Sequence, residues 1–368
     1  MKKSTTSLLL IIFSSLLVFA NPQNGFIVKG TVHGLDTGTV QLAYRNISGE
    51  DTTVTAAITG GKFTINGQVP EPELARFNIL TGWSYNISFF IENAEITFSL
   101  IKGAEDKTEI TGSSSNIVYE RLEPQLRRFF DNAHKYDAVH EHAVSSHNTT
   151  AVLSTDSIWN AQLQQWTGTI RSAIANNPKN YAGLYFIKWL LFHPLNYDTI
   201  MSLFMSLDPS VRNGLSGTAF AADYHHARQI SIGQPAPEIS GKDTSGNTQT
   251  LASLKGKIVL LDFWASYCLR CRQENPQLKI VYEKYHQQGF EILSVSLDYE
   301  RASWTQAIQR DKMSWQHASD LRGGASASAA VYDVQDIPRN WLIDRKGNII
   351  AIDLSTGDLN EKLEKLLK

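Results

Sequence analysis

The chain has 368 residues, of which 42% are hydrophobic and 19% charged, and its formal net charge is −2 at pH 7. A chain of this length is expected to fold into two or three domains, and this composition argues against wholesale disorder. The near-neutral charge gives no indication of a nucleic-acid partner.

The first twenty residues have the pattern of a secretory signal peptide. Met1, Lys2 and Lys3 give a positive start, an apolar run covers 8–20, and the small residue Ala20 precedes the predicted cleavage point. The run is too short for a stable membrane anchor. No cysteine follows it that could carry a lipid. We therefore expect residues 1–20 to be removed and the mature protein to be periplasmic or secreted, without a stable membrane anchor.

Residues 24–112 are predicted to form a β-rich domain. Apolar and polar residues alternate in 26–32, 39–44 and 62–67, glycine- and proline-containing turns separate these runs, and 95–100 is a later strand of the same kind. Short strands with such turns indicate an antiparallel β sandwich or sheet. No catalytic constellation is visible here, which favours a structural or interaction module.

Residues 113–230 are predicted to form a helical linker domain, because the pattern turns helical after 117 and Gly and Pro fall at its breaks. Several histidines lie in this region. Their spacing matches no metal-ligand template, so solvated helix faces are the favoured interpretation. These histidines are His134, His140, His142, His147, His225 and His226.

Residues 231–368 are predicted to form an α/β domain with thioredoxin-like layering. An apolar run at 258–263 reads as a buried strand, a helix follows to 285, and a second buried strand covers 290–297. A helix at 301–312, a hairpin around 345–348 and an amphipathic helix at 359–367 complete the pattern. Pro276 is expected to kink the first of these helices.

Cys268 and Cys271 are the only cysteines. At positions i and i+3 on the first turn of a helix they face the same way and can close a disulfide. The helix N-terminus offers unpaired N–H groups and a partial positive charge, so the pKa of Cys268 should be lowered and its thiolate, the attacking species in disulfide exchange, favoured. A structural disulfide or half of a metal site is the less favoured alternative; zinc would need two further ligands, and no metal or cofactor is expected.

Several motifs follow one another in the C-terminal region. They are Gly233-Gln234-Pro235-Ala236-Pro237, Asp262-Phe263-Trp264-Ala265, Cys268-Leu269-Arg270-Cys271 with Glu274 and Pro276, and Ile337-Pro338 followed by Trp341-Leu342-Ile343-Asp344. This ordered set resembles the thioredoxin-like superfamily, and in particular the exported TlpA/ResA-like thiol-disulfide oxidoreductases of the AhpC/TSA group. The upstream region resembles, more loosely, the β-rich domain of unknown function that precedes such domains in Bacteroidetes-type proteins.

The resemblance implies roles for individual residues. Cys268 is expected to be the exposed attacking thiol and Cys271 the buried resolving thiol, which together form a redox-active disulfide. Pro338 is expected to be a cis-proline that faces this pair, and the backbone of Ile337 to pair with an extended substrate segment. The implied partners are protein thiol or disulfide clients and a redox partner that the sequence does not identify.

Two acids and two aromatic residues complete the candidate site. Asp262 and Glu274 match acids near the cysteine pair in the family, and a buried carboxylate with a raised pKa is suited to take the proton of Cys271. Backbone donors that satisfy Asp262, and a solvated helix face for Glu274, are the alternatives. Trp264 and Tyr267 are candidate substrate contacts, although the family usually has Trp where Tyr267 stands.

Two other functions remain open at this point. A peroxiredoxin-like peroxidase needs Thr or Ser three residues before its cysteine, but position 265 is Ala and no Pro lies in 257–267. A non-catalytic binding protein with vestigial thiols is the alternative from a different class. An ordinary thiol pKa of about 8.5 at Cys268 would favour it.

Overall fold

The computed structural model describes residues 25–80, 83–146, 148–191 and 197–368, apart from the side chains at 133, 134, 137, 141, 144, 145 and 149. The predicted signal peptide lies outside these residues. Clustering of contacts divides the chain into two compact units. One contains the described residues up to 127 with 170–186 and 206–215, and the other contains 128–169, 187–205 and 216–368. The domain limits predicted above stay predictions.

The N-terminal region is one eight-stranded sheet with the order β6-β5-β2-β3-β4-β1-β7-β8. The predicted antiparallel sheet is confirmed, with one difference: β1 pairs with β7 in parallel. A cluster of phenylalanine rings forms its core, with Phe77 and Phe98 centroids 5.0 Å apart. The strands are β1 Phe26–His33, β2 Thr37–Arg45, β3 Asp51–Thr59, β4 Lys62–Gly67, β5 Glu73–Ile79, β6 Tyr85–Ile91, β7 Glu95–Ile101 and β8 Glu109–Thr111.

The predicted helical middle region is also confirmed. The residues described there form α1 Ser114–Ser145, α2 Thr149–Asn176, α3 Tyr181–Leu190, α4 Tyr197–Met205, α5 Pro209–Arg212 and α6 Leu215–Gln229. Of the histidines considered above, His140 lies 3.4 Å from a carboxylate oxygen of Asp156. His147 and the side chain of His134 lie outside the described residues. None of the helices described is long and apolar enough to span a bilayer.

The C-terminal region has a five-stranded sheet with the order β13-β12-β11-β14-β15. Strands β11, β12 and β13 run parallel, and β14 and β15 add an antiparallel hairpin. The predicted thioredoxin-like α/β fold is confirmed. Its elements are β9 Ser240–Lys242, β10 Thr248–Thr250, β11 Ile258–Trp264, α7 Leu269–Tyr285, β12 Phe290–Ser296, α8 Arg301–Asp311, β13 Gln316–Ala318, α9 Ala327–Val331, β14 Arg339–Ile343, β15 Ile349–Ile352 and α10 Thr356–Leu366.

The central strand β11 explains where the site lies. It pairs with β12 on one side and β14 on the other, and every residue in it is buried, as its nearly continuous apolar sequence requires. The loops at the carboxyl ends of parallel strands meet at one edge of such a sheet. The cysteine pair follows β11 directly and therefore lies at this edge.

Candidate active site

The cysteine pair lies where β11 passes into helix α7. Cys268 is the N-cap residue of α7, and the helix continues through Pro276 to Tyr285. The predicted strand–turn–helix junction is confirmed. Because Cys268 caps the helix, its sulfur lies where the unpaired N–H groups of the first turn point.

The two sulfur atoms are bonded to each other, and the Cα atoms of Cys268 and Cys271 are 5.4 Å apart. The predicted pairing is therefore seen, in its oxidised form. Only 9% of Cys268 and 3% of Cys271 is exposed. The expectation of an exposed attacking thiol is corrected on this point: Cys268 is the more accessible of the two but is nearly buried.

The cover over Cys268 comes from the loop before β14. The carbonyl oxygen of Ile337 lies 3.8 Å from Sγ of Cys268. The Ile337-Pro338 peptide bond is cis, as the resemblance implied. The backbone that the resemblance assigns to substrate pairing therefore lies directly against the disulfide.

The N–H group of Cys271 provides the electrostatic feature of the pair. It lies 3.2 Å from Sγ of Cys268 and donates to it. A backbone donor aimed at a sulfur stabilises the thiolate more than the thiol and lowers the thiol pKa. The lowered pKa of Cys268 in the reduced protein stays a prediction, and this N–H donor is the observation that supports it.

Asp262 lies within β11, the strand that leads into the cysteine pair, and is 8% exposed. The Ser294 hydroxyl donates to its Oδ2 at 2.8 Å. Burial raises the pKa of Asp262 to about 7; the Ser294 hydrogen bond opposes this shift, and the charge of Glu274 adds to it. The predicted buried acid is present, and it is bound by a side-chain hydroxyl rather than by the backbone donors considered as an alternative.

Glu274 is an exposed residue of α7. It comes three residues after Cys271 and four before Leu278, so it lies at the border of the buried face of the helix. Partial burial of the carboxyl raises the pKa of Glu274, and the nearby Arg270 lowers it. The structure therefore favours the solvated helix face for this residue, with an electrostatic effect on Asp262.

Of the two aromatic residues predicted to contact substrate, one is buried and the other is exposed. Trp264 is 1% exposed and its ring centroid lies 6.2 Å from that of His317, so its predicted role in substrate binding is corrected to a core position. Tyr267 is 64% exposed, and its hydroxyl donates to the carbonyl of Leu297 at 3.2 Å. Tyr267 therefore remains available as a surface contact beside the disulfide.

A residue that the sequence did not single out holds the loop before the cysteines. Asp298 is 2% exposed and accepts hydrogen bonds from the Ser266 N–H at 3.0 Å and the Ser266 hydroxyl at 2.5 Å. The Ser296 hydroxyl donates to the same carboxylate at 2.7 Å. This carboxylate fixes the short connection from β11 to Cys268.

Comparison with known proteins agrees with this geometry. Residues 232–352 match the model of the AhpC/TSA family, and residues 26–119 match a domain of unknown function (DUF4369). The chain is 28% identical over 151 residues to the thiol-disulfide oxidoreductase ResA of Bacillus cereus, which covers 41% of this chain and 85% of that protein. The C-terminal domain belongs to the AhpC/TSA family.

Two solved structures are also similar to the C-terminal part of the chain. A thioredoxin domain of a thiol-disulfide oxidoreductase from Bacteroides vulgatus is 35% identical, with a TM-score of 0.36, and covers 38% of this chain and 99% of that one. The C-terminal domain of a putative thiol-disulfide oxidoreductase from Bacteroides thetaiotaomicron is 33% identical, with a TM-score of 0.36, and covers 38% and 97%. The predicted class, a thioredoxin-like thiol-disulfide oxidoreductase, is confirmed at the level of the family.

Within this AhpC/TSA domain the structure brings Cys268, Cys271 and Ile337 together at one edge of the sheet. It adds two polar groups, Ser294 and Asp298, both from the neighbouring strand β12 or its end. One signal in the sequence could have indicated Asp298: it directly follows a buried strand, where parallel strands place functional side chains.

Proposed function

We propose that the protein is an exported thiol-disulfide oxidoreductase that exchanges disulfides with protein clients through Cys268 and Cys271. The single observation that carries this proposal is the bonded cysteine pair at the start of α7, with the N–H of Cys271 on Sγ of Cys268 and the Ile337 carbonyl beside it. The family of the C-terminal domain and its named relatives support the same activity.

In the first step the Cys268 thiolate attacks one sulfur of a client disulfide. A bond forms between Cys268 and that sulfur, the client disulfide breaks, and the other client sulfur leaves as a thiolate. Cys268 is assigned this step because it is the more accessible cysteine and accepts the N–H hydrogen bond at 3.2 Å. The lowered pKa expected from this donor makes it the better nucleophile near neutral pH.

In the second step Cys271 resolves the mixed disulfide. Asp262 takes the proton of the Cys271 thiol, directly or through one water, and the thiolate attacks Sγ of Cys268. The Cys268–Cys271 bond closes and the client leaves with its second sulfur reduced. Two electrons pass from the cysteine pair to the client, and the reverse sequence oxidises a client dithiol. A pKa of about 7 for Asp262 suits a group that must both take and return a proton near neutral pH.

Client contacts are assigned to the surface around the disulfide. Tyr267 is 64% exposed, Leu269 71% and Tyr299 64%, all on loops or the helix start next to the cysteine pair. Exposed large apolar side chains beside a reactive group provide a surface for an unfolded or extended chain. The free backbone of Ile337 is the proposed pairing partner for the client segment that carries the disulfide.

Export is proposed from the pattern of residues 1–20, which supports a periplasmic or secreted location. Disulfide exchange is useful where client cysteines are oxidised, which is the case outside the cytosol. A separate redox partner then returns the cysteine pair to its starting state.

Reduction of insulin by dithiothreitol tests the proposed activity. The wild-type chain is expected to accelerate the precipitation of the insulin B chain, while Cys268→Ser gives the uncatalysed rate. Cys268→Ser and wild type at equal rates would contradict the proposal. The Ser245→Ala variant is the control, because Ser245 is exposed in the turn between β9 and β10 and belongs to neither the cysteine pair nor the proposed client surface.

A further inference from the structure

Within the C-terminal domain, a series of hydrogen bonds runs from the Trp315 indole to the buried carboxylate of Asp262. Nε1 of Trp315 donates to Oγ of Ser294 at 2.8 Å, and Oγ of Ser294 donates to Oδ2 of Asp262 at 2.8 Å. Ser294 is 0% exposed and Trp315 5%. Each partner is therefore held away from solvent.

The direction of these hydrogen bonds is fixed by chemistry. An indole N–H can only donate, so Ser294 must accept from Trp315. The one hydroxyl hydrogen of Ser294 is then free to point at Asp262. In the part of the chain that the structure describes, Ser294 is the only side chain that donates to this carboxylate.

The hydrogen-bonded residues Asp262, Ser294 and Trp315 lie on the same side of the sheet as helix α7. Ser294 faces Asp262 across the β11–β12 pairing, in register. The ring of Trp315 lies 5.7 Å from that of Tyr282, which is on α7. Since α7 also carries Cys271, the three groups belong to the layer between the sheet and the helix that bears the resolving thiol.

We propose that Ser294 and Trp315 are positioning residues that orient the Asp262 carboxylate and set the pH above which it serves as a base in the resolving step. The inference rests on the proposed role of Asp262. The hydroxyl hydrogen occupies Oδ2, so Oδ1 is the oxygen that takes the proton from the Cys271 thiol. The thiol S–H bond breaks, its electron pair stays on sulfur, and the carboxylate becomes the acid.

The other titratable groups around Asp262 have defined effects on its pKa or are themselves uncharged near pH 7. Glu274 on α7 raises its pKa, and Arg270 on the same helix lowers that of Glu274. On β13 the buried His317 is kept neutral near pH 7, because burial lowers its pKa to about 4.

The strand on the other side of β11 adds no free charge next to this carboxylate. Asn340 on β14 lies opposite Asp262 in the strand pairing and is uncharged. Its neighbour Arg339 pairs with Asp353 at 2.8 Å. The hydrogen bond from the Ser294 hydroxyl is therefore the interaction of Asp262 that a substitution can remove without changing a charge.

Removal of the hydroxyl has a defined consequence. A hydrogen bond to the charged form of an acid favours ionisation, so Ser294→Ala is expected to raise the titration midpoint of Asp262 by about one pH unit. At a pH below both midpoints, the resolving step then slows about tenfold. Trp315→Phe keeps an aromatic ring but removes the indole N–H, so the Ser294 hydroxyl is free to rotate. We expect a smaller upward shift of the Asp262 midpoint in this variant.

Two measurements on the full-length chain test the inference. The titration of Asp262 is followed by ¹³C NMR of its carboxyl carbon in the oxidised protein. The resolving step is followed in the reduced protein by mixing with a disulfide-bonded peptide, quenching in acid and measuring the decay of the mixed disulfide by mass spectrometry, from pH 5 to about 9.

Two variants serve as matched controls. Ser296→Ala removes a hydroxyl that is equally buried on the same strand but binds Asp298. Trp304→Phe removes a fully buried indole whose Nε1 donates to no residue that the structure describes. Both are expected to leave the Asp262 midpoint in place, which separates the hydrogen-bond effect from a general loss of packing.

The outcomes separate this inference from the proposed activity. Equal upward shifts of the Asp262 midpoint and of the pH profile of resolution in Ser294→Ala support it. An unmoved midpoint overturns it and leaves disulfide exchange untouched. A midpoint that moves while the pH profile of resolution stays overturns both the inference and the role of Asp262. Failure of the activity itself is recognised separately, when insulin reduction is equal in wild type and Cys268→Ser.

Discussion

The backbone N–H of Cys271 lies 3.2 Å from Sγ of Cys268, so the second cysteine of the pair stabilises the first. This donor, together with the positive end of α7, acts on the sulfur only when that sulfur carries charge in the reduced protein. This asymmetry is the basis for the proposed roles, with Cys268 as the nucleophile and Cys271 as the resolving group.

The first prediction concerns the reactivity of Cys268 after reduction. We expect its alkylation by iodoacetamide to show a midpoint well below the ordinary thiol value of about 8.5, because only the thiolate reacts. The Cys271→Ser variant isolates the Cys268 signal and Cys268→Ser isolates that of Cys271, each measured by mass spectrometry across pH. A midpoint of about 8.5 in Cys271→Ser would favour the non-catalytic alternative.

The second prediction concerns Asp262 and stability. Its pKa of about 7 in the folded chain lies above the ordinary value of 3.8, so the folded state holds its proton more tightly and loses stability as pH rises from about 4 to 7. Asp262→Asn carries no charge and escapes this loss. We expect its free energy of unfolding relative to wild type to gain about 2–4 kcal/mol between pH 4 and 8.

Urea unfolding of the oxidised full-length chain measures this difference, since disulfide-bonded cysteines do not titrate. The Ser294→Ala variant is a useful companion, because it keeps the carboxyl and should steepen the pH dependence. A stability difference between Asp262→Asn and wild type that is the same at pH 4 and pH 8 would show that the pKa of Asp262 is not raised in the folded chain.

The third prediction concerns His317, whose pKa is lowered by burial to about 4 from the ordinary 6.5. Below about pH 6.5 the unfolded chain takes up a proton that the folded chain does not, so stability falls as pH drops from 6.5 to 4. His317→Phe removes this loss. Relative to its parent, we expect it to be more stable at pH 4.5 than at pH 7.5 by about 2 kcal/mol.

Titration of Asp262 lowers the stability of the folded chain as pH rises, whereas titration of His317 lowers it as pH falls, over nearly the same pH range. The effect of His317 is therefore measured in the Asp262→Asn background. Urea unfolding of the single and double variants at the two pH values isolates the histidine. Parallel pH curves for the two variants would mean that His317 is protonated in the folded chain.

The fourth prediction concerns the loop before the cysteines. Asp298 accepts two hydrogen bonds from Ser266 and one from Ser296, so Asp298→Ala leaves three donors without their acceptor. We expect a loss of about 2–3 kcal/mol in stability and a lower rate of insulin reduction. Asp298→Asn keeps one acceptor oxygen and should lose less of both. Wild-type stability and activity in Asp298→Ala would show that the carboxylate does not hold this loop.

The centre of the site was predictable because its signals are local. Cys268 and Cys271 are three residues apart, and the apolar run of β11 precedes them directly in the chain. A buried acid within that run, Asp262, stands out for the same reason. Such features depend on strand and helix periodicity, which the sequence shows directly.

The surroundings of the site were not predictable in this way. Ser294 and Asp298 approach Asp262 and Ser266 across 32 positions of chain, through the pairing of β11 with β12. The Ile337 carbonyl, which lies 3.8 Å from Sγ of Cys268, is 69 positions away in the chain. Contacts of this kind follow from strand register, which the pattern of one strand does not contain.

In the N-terminal sheet, too, the strands were predictable from the sequence but their pairing was not. Alternation of apolar and polar residues predicted β1, β2, β4 and β7. The parallel pairing of β1 with β7, in which Ile27 lies opposite Glu95, was not predicted. Alternation reports which face of a strand is buried, and both pairing directions satisfy it.

Trapping of the mixed disulfide tests the central claim most directly. Reduced Cys271→Ser is mixed with a disulfide-bonded protein, such as oxidised insulin, and the products are separated without reductant and analysed by mass spectrometry. The account predicts a stable one-to-one adduct bonded through Cys268, absent from Cys268→Ser and short-lived in wild type. No adduct with Cys271→Ser, or an equal amount with Cys268→Ser, would contradict the assignment of Cys268 as the attacking sulfur.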